Sequence, residues 1–457
     1  MSQPERATVI VDGKLGKNAG LVLVPGLNLR CGDKDLEAVF GNLTSLENDL
    51  LRVASAIFAC DLAFKRGERE NITRNIDLTI PVVNSQAFQR LREDLETILY
   101  VLSHDNWTIT FRRMNGTPEP ALEWPERKGT TLLFSGGLDS LAAAVDLLDD
   151  FGPDHVQLAS HVTGNQVTRH AQEAIVAYLN TTFETTVERV TVRTGGHKHA
   201  RFDFPSDQAR EETQRTRSFM YLTIAALAAR RRGHSEVVMI AENGQMAIHL
   251  PLSAARIGAF STHTAHPQFV KMAGDVFSTV LDYKIEVTNP YVYLTKAEVI
   301  RTIATKHKAA LAAAVSCWRG SRVTRYNHCG ECVPCLIRRI ALEANGVRIA
   351  EYSRDLLAQD LSTLSSEDEG KRNVVELAEF AVAFKTLSAT ELQWSYPDLF
   401  NAYFDMDSAV QMYKRFADEA LRVLTAYPSV RAILPPLRGL GVAKRRSGAA
   451  KEAGRPK

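Results

Sequence analysis

The sequence predicts an α/β protein built on a parallel sheet, and three observations carry that expectation. Strand-like and helix-like segments alternate between residues 131 and 241. One of those strands, 131–134, runs into Ser135-Gly136-Gly137 and straight on into an Ala/Leu-rich helix. Four cysteines, Cys317, Cys329, Cys332 and Cys335, follow downstream within 19 residues. Strands alternating with helices imply right-handed crossovers, hence parallel strands with helices on both faces.

At 457 residues the chain exceeds one ordinary core, and its patterning divides it into four parts. Residues 1–125 read as an α+β accessory domain. Within it, 21–24, 76–83 and 107–111 are strand-like, and 45–64 and 88–102 carry helical apolar spacing. The polar, Pro-containing stretch 115–128 reads as a linker. Residues 126–345 hold the alternating block: strands at 131–134, 156–162, 186–192 and 236–241, and helices at 170–179 and 217–231. Residues 346–438 form a helical extension, with helices expected at 356–364, 374–387, 392–404 and 409–424 and a charged loop at 365–372. Residues 439–457 are polar and basic and are expected to be disordered.

The composition excludes several function classes. Hydrophobic residues make up 45% and charged residues 24%, the balance of a globular chain. The net charge is +2, but the last 17 residues carry six basic groups against Glu452 alone, so the body is slightly acidic. No basic face for nucleic acid is evident. No apolar run approaches the roughly 20 residues of a membrane span, and the N-terminus lacks an apolar signal core. The expected location is cytoplasmic. Cys31 and Cys60 stand alone and read as buried small apolar residues.

The segment Thr131-Leu132-Leu133-Phe134-Ser135-Gly136-Gly137-Leu138-Asp139-Ser140 is the most informative. Glycines let backbone N–H groups approach a phosphate, and a helix N-terminus adds oriented donors. Ser135 and Ser140 add hydroxyls. Asp139 beside a pyrophosphate makes sense if it holds Mg²⁺. The string is neither a Walker loop nor GxGxxG. The spacing Cys317-x11-Cys329-x2-Cys332-x2-Cys335 suits a closed tetrahedral Zn²⁺ site, with an iron–sulfur cluster as the alternative. A redox C-x-x-C pair does not account for four sulfurs. Cys317 is the least certain ligand, because His328 adjoins the knuckle and could replace it.

Ser135-Gly136-Gly137-Leu138-Asp139-Ser140 resembles the SGGxDS signature of the PP-loop ATP pyrophosphatases. Ser316-Cys317 and Cys329-Gly330-Glu331-Cys332-Val333-Pro334-Cys335-Leu336-Ile337-Arg338 resemble the SC and CGxCxxCxxR elements of the QueC family, the 7-cyano-7-deazaguanine synthases. Arg217-Ser218 and the Pro290 to Glu298 element resemble further QueC motifs, so the likeness covers about residues 130–345. The layout, Ile76-Asp77-Leu78-Thr79-Ile80-Pro81-Val82 and Glu242-Asn243-Gly244 resemble the longer QueC-like proteins of anti-phage defence operons, such as those of the Qat system.

The resemblance implies a Rossmann-like fold and an enzyme that cleaves ATP to AMP and pyrophosphate, adenylates the carboxylate of a 7-carboxy-7-deazaguanine-like molecule and passes it to an amine. Operon-encoded protein partners are implied; a membrane partner is not. Expected cofactors are ATP, Mg²⁺ and Zn²⁺. Asp139, Ser135, Lys296 and Arg217 are expected to be catalytic. Phe134 through Ser140, His161, Glu242 and Asn243 are expected to bind nucleotide, with Thr163 and Arg215 as lesser candidates. Thr295-x-x-Glu298 is also a capping box. His263 and His266 read as surface-loop histidines before a metal or catalytic pair. One departure stands out: the acidic, aromatic substrate segment DYSGYPDCR of ordinary QueC chains is replaced here by Glu242-Asn243-Gly244-Gln245-Met246-Ala247-Ile248-His249-Leu250. Thiolation of a tRNA base lacks a catalytic cysteine near the cleft, and a non-catalytic scaffold fits poorly with an intact phosphate loop.

Overall fold

The computed structural model describes residues 4–11, 20–67, 73–119, 125–162, 165–234, 237–252, 263–319, 326–349 and 352–433. The basic tail from 439 and Thr163 lie outside them.

The N-terminal unit contains β1 (Glu5–Val9), β2 (Leu21–Leu23), β3 (Leu29–Arg30), α1 (Asp33–Phe40), α2 (Ser45–Ala63), β4 (Asn75–Val82), α3 (Ser85–Arg90), α4 (Arg92–Ser103) and β5 (Asn106–Arg113). Its four-stranded sheet has the order β2-β1-β4-β5 and is parallel throughout. β4 alternates buried and half-buried residues, the period of a sheet with one core face. The single helix expected over 88–102 is two, meeting at Leu91. α2 starts with a complete capping box, Thr44 with Glu47.

The central block runs β6 (Thr130–Leu133), α5 (Leu138–Phe151), β7 (Val156–His161), α6 (Gln166–Thr182), β8 (Glu188–Val192), β9 (Gly195–Gly196), α7 (Arg217–Arg232), β10 (Val237–Met239), α8 (Gly244–Ile248), α9 (Pro267–Leu281) and β11 (Val287–Thr288). The sheet order is β11-β10-β6-β7-β8, all parallel. The chain moves outward from β6 to β8, then returns to the other side of β6 at β10. The β6/β10 boundary is therefore the topological switch point, where open parallel sheets bind ligands beyond their strand ends.

Short helices α10 (Lys296–Val299), α11 (Arg301–Lys306) and α12 (Lys308–Leu311) lead to the cysteines and to α13 (Val333–Ala344). The extension adds α14 (Glu369–Thr386), α15 (Ala389–Ser395), α16 (Met406–Leu424) and α17 (Pro428–Ile433). Two helices expected here are shorter than their apolar spacing suggested. Residues 356–364 form two 3-10 turns, each started by an Asp side chain, Asp355 and Asp360. Residues 392–404 break at Tyr396, because Pro397 supplies no N–H and disfavours helical backbone before it. The loop expected at 365–372 ends early, since Asp368 caps α14 through Lys371 N.

The N-terminal unit does not own a separate core. α2, β4, β5, α7 and α9 contribute to one continuous apolar cluster. A second cluster fills the other face of the central sheet with α5 and α11, and a third joins the extension to α8 and α13. Antiparallel pairing of β3 with β9 adds a backbone link between the two sheets' units. Cys31 and Cys60 are buried as expected, and burial pushes the Cys31 thiol up to about 12. Among the described residues, no helix is long and apolar enough to cross a membrane.

Candidate active site

The phosphate loop leaves β6 and starts α5. Gly136 has φ +81°, a backbone conformation that favours glycine, and a Cβ there would press on Gln172 Cγ at 3.1 Å. Gly137 occupies the N-cap without a side-chain cap, which leaves the first N–H groups of α5 available. Gly137 N donates to Ser135 Oγ at 3.3 Å, Ser140 Oγ donates to Gly137 O at 3.1 Å, and the two serine hydroxyls are 3.3 Å apart. The side chains of Phe134 and Leu138 are buried, so any contact of Leu138 with a nucleotide runs through its backbone.

Two residues that carry no motif hold this loop from behind. Gln172 Nε2 donates to Phe134 O (3.3 Å) and Ser135 O (3.4 Å). Arg189 donates to Gln172 Oε1 (2.7 Å) and Ser160 Oγ (3.2 Å), and Ser160 Oγ donates to Phe134 O (3.0 Å). The loop's carbonyls are thus turned into the protein. Neither residue stands out in the sequence; an arginine inside a strand, Arg189 in β8, is the one signal that could have pointed here.

Across the switch point lies a charged cluster. Lys296 Nζ donates to Asp139 Oδ2 at 2.6 Å, and Asn243 Nδ2 donates to the same oxygen at 2.9 Å and to Glu242 Oε1 at 3.1 Å. Lys296 is buried at the first position of α10, inside the Thr295–Glu298 capping box, and its backbone N–H donates to Gln245 Oε1. Two residues, Asn243 and Lys296, which are 104 and 157 positions from Asp139 in sequence, therefore meet on its carboxylate. Burial, then the Asp139 charge, pushes the Glu242 carboxyl well above the ordinary range against the pull of Lys296 and Arg217. Asp139 Oδ1 and Asn243 Oδ1 are buried without a hydrogen-bond partner. Two carboxyl groups sharing one ammonium, with oxygens to spare, fit a hard divalent cation.

On the β7 side, a cavity of about 80 Å³ is lined by Phe134, Ser135, Ser160, His161, Tyr221 and Ile224. His161 closes the end of β7, shares a 2.9 Å hydrogen bond with Thr194 Oγ1 and stacks on Tyr221 at 4.9 Å. Burial brings its pKa down to about 4, so it is neutral at pH 7. Arg217, exposed at the start of α7, is close enough for its charge to act on His161, Tyr221 and Glu242. Arg215 is not in the cleft: it is buried and donates to Ser103 O at 3.1 Å. His263 and His266 are not surface-loop residues either. His266 is buried and caps α9 through Gln268 N, and His263 Nδ1 bonds Val101 O at 3.0 Å. His266 serves as a helix cap and His263 as a packing group against His104 and His266.

The four cysteines converge. Their sulfurs all lie within 4.8 Å of one another and are buried. The Cys317–Cys332 and Cys329–Cys335 separations are 4.0 and 3.8 Å. A tetrahedral ion with metal–sulfur bonds of about 2.3 Å requires edges of about 3.8 Å. The choice between Cys317 and His328 falls to Cys317, because His328 Nε2 accepts from Ser316 N at 3.3 Å instead. Gly330 turns the knuckle at φ +85°, and a Cβ would sit 2.1 Å from Arg354 O. The knuckle also touches the phosphate loop: Val315 N donates to Gly136 O at 2.9 Å.

Residues 130–346 match the family model described as queuosine biosynthesis protein QueC. Three 7-cyano-7-deazaguanine synthases are similar over about half of this chain. That of Sulfolobus acidocaldarius is 25% identical over 246 residues, which are 50% of this chain and 48% of its own. That of Saccharolobus solfataricus is 24% identical over 51% of this chain and 49% of its own. That of Brucella anthropi is 27% identical over 48% of this chain and 90% of its own. The central domain is QueC-like, and the chain spans about half the length of the two archaeal relatives.

Proposed function

We propose that this protein is a PP-loop ATP pyrophosphatase and C–N ligase that adenylates the carboxylate of a 7-deazaguanine and transfers the acyl group to an amine. The observation that carries this reading is the meeting of the Ser135–Ser140 loop with Asp139, Glu242, Asn243 and Lys296 at the sheet's switch point. A carboxylate oxygen attacks the α-phosphorus and pyrophosphate leaves. The amine nitrogen then attacks the acyl carbon, AMP leaves with that oxygen, and the nitrogen gives up a proton. This splits one hard substitution into two easier ones.

Loop N–H groups and the Ser135 and Ser140 hydroxyls receive phosphate oxygens. Lys296 and Arg217 supply positive charge where negative charge accumulates. The cavity beside His161 and Tyr221 takes the base of the nucleotide. Asp139 and Glu242 would hold Mg²⁺, which when bound offsets charge on the pyrophosphate. Cys317, Cys329, Cys332 and Cys335 would hold Zn²⁺ in a closed site, where it would be structural, since four thiolates leave it no open position for substrate.

The acceptor in this reading is the N-terminus of a partner protein encoded beside it in an anti-phage defence system. α16 packs Met412 and Tyr413 against the segment from Gly244 to Leu250, where ordinary QueC chains differ most, and so builds a larger rim than ammonia needs. An α-amino group, with an unperturbed pKa of about 7.7–8.0, is partly neutral at neutral pH. Nitrile synthesis with ammonia is the second reading, favoured by the names of the relatives. The test incubates the enzyme with ATP, 7-carboxy-7-deazaguanine and the partner, then follows AMP, pyrophosphate and the partner's peptides by mass spectrometry. A modified N-terminal peptide is expected. An unmodified partner with free 7-cyano-7-deazaguanine supports the nitrile, and absence of AMP overturns both readings.

A further inference from the structure

Helix α2 of the N-terminal unit grips α7 at both ends. At one end Asp61 Oδ2 accepts from Thr216 N (2.8 Å) and Thr216 Oγ1 (3.0 Å). At the other, Glu47 bonds Arg230 (3.1 Å) and Arg231 Nε (2.8 Å). Glu47 and Asp61 are fourteen residues apart, as are Thr216 and Arg230, so the two antiparallel helices match over about 21 Å. Thr216 is the N-cap of α7 and has no cap from its own side chain. Asp61 instead receives the N–H and the hydroxyl of Thr216 itself, and so holds the start of α7 from another part of the chain, at the end of the helix where a carboxylate is favoured.

The residue after Thr216 is Arg217, and one turn further Tyr221 lines the cavity. One turn before Asp61, Phe58 meets edge-on, at 6.1 Å, the same His161 ring on which Tyr221 stacks. Gly195 of β9 packs against the same ring, with its Cβ position 3.2 Å from Phe58 Cε1. The last turns of α2 therefore touch both the base-side wall and the start of the helix that carries Arg217. Asp61 is itself fixed by Arg74 at 2.5 Å.

We infer that Phe58 and Asp61 are positioning residues of the nucleotide site, so that the N-terminal unit is a structural wall of that site and sets the placement of His161 and Arg217. This rests on the nucleotide reading above. The equal spacing supplies an internal control, because Glu47 anchors the same pair of helices at the end remote from the site.

The experiment measures binding of a non-hydrolysable ATP analogue with Mg²⁺ by calorimetry, alongside thermal melting, for the full chain and for Asp61→Asn and Glu47→Gln. Both variants should melt earlier. Asp61→Asn should weaken analogue binding about tenfold or more through misplacement of Arg217, while Glu47→Gln leaves it within about twofold. Equal weakening in both variants, or none in Asp61→Asn, would overturn the inference while leaving the site in place. No binding by the unmodified protein would overturn the nucleotide reading itself and this inference with it. If Asp61→Asn does not fold, Phe58→Leu carries the same comparison with Glu47→Gln.

Discussion

The N-terminal sheet and the central sheet are both parallel, yet they treat buried polar groups in opposite ways. Among the described residues of the N-terminal unit, no buried side-chain nitrogen or oxygen is without a hydrogen bond. Asp105 accepts from Arg66 and Arg74, and Arg74 also reaches Asp61 and the carbonyls of Asp61 and Phe64. Around the β6/β10 boundary, by contrast, Asp139 Oδ1, Asn243 Oδ1 and Gln245 Nε2 are buried and unpaired. Satisfied networks fix a shape. Unsatisfied ones keep capacity for something that is not part of the chain. Parallel-sheet architecture alone does not define a site; leftover hydrogen-bonding capacity at strand ends does.

The sharpest way to break this contrast is to remove one carboxylate from each region. Asp139→Ala should lower AMP formation by about a thousandfold or more, and should destabilise the chain less than Asp105→Ala because the Glu242 carboxyl stays close to the Lys296 charge. Asp105→Ala leaves Asp61 as the carboxylate facing the guanidinium groups of Arg66 and Arg74 and should cost about 3–5 kcal/mol of stability. Pyrophosphate release and thermal melting, read on both variants, check the pair. Near-normal AMP formation in Asp139→Ala would dissolve the contrast at its centre.

The cysteine knuckle is an intermediate case, in which protein groups are complete only with an ion. Metal analysis should return about one zinc per chain. Chelation or Cys332→Ser should lower the melting temperature and soluble yield more than it lowers nucleotide affinity. Iron with sulfide, or no metal, would remove the knuckle from this class.

The smallest effect concerns pH. His234 bonds Thr131 Oγ1 through Nδ1, and burial, with nearby Arg232, brings its pKa down to about 4. Its folded value lies below the unfolded value of about 6.5, so between these the unfolded chain binds more protons and stability rises with pH. The contribution is complete above about 6.5 and is lost as pH falls toward about 4. Melting measured across that window should flatten in His234→Gln. An unchanged slope would mean that other groups dominate acid sensitivity.

Much of the site was legible because the phosphate loop, the cysteines and Lys296 each occupy a local pattern with a physical reason. The strand–Gly-Gly–helix string and the capping box at Thr295 needed only neighbours in sequence. Asn243 and Glu242 were found by their place after a strand. Gln172 and Arg189 were not, because a glutamine in a helix acquires its role only once α6 is laid behind the loop. Arg215 misled for the same reason: its charge suggested phosphate, and tertiary packing turned it toward Ser103 O. The extension's helices were overread where Asp and Pro started or stopped turns that apolar spacing could not register. The shared core of the two sheets left no local trace at all.

That shared core has a bearing on how the chain is made. Fourteen of the nineteen residues of α2 are buried, which a helix achieves only with partners on more than one side. One of those partners, α7, ends at Arg232. A growing chain therefore completes α2 long before its second face has anything to cover it. At roughly 5–20 residues per second the delay is on the order of ten seconds or more. During it, the face marked by Glu47 and Asp61, which by helical spacing carries Leu51, Ala54 and Phe58, is a greasy strip that a chaperone can hold, and a truncated chain that stops short of α7 would keep that strip open.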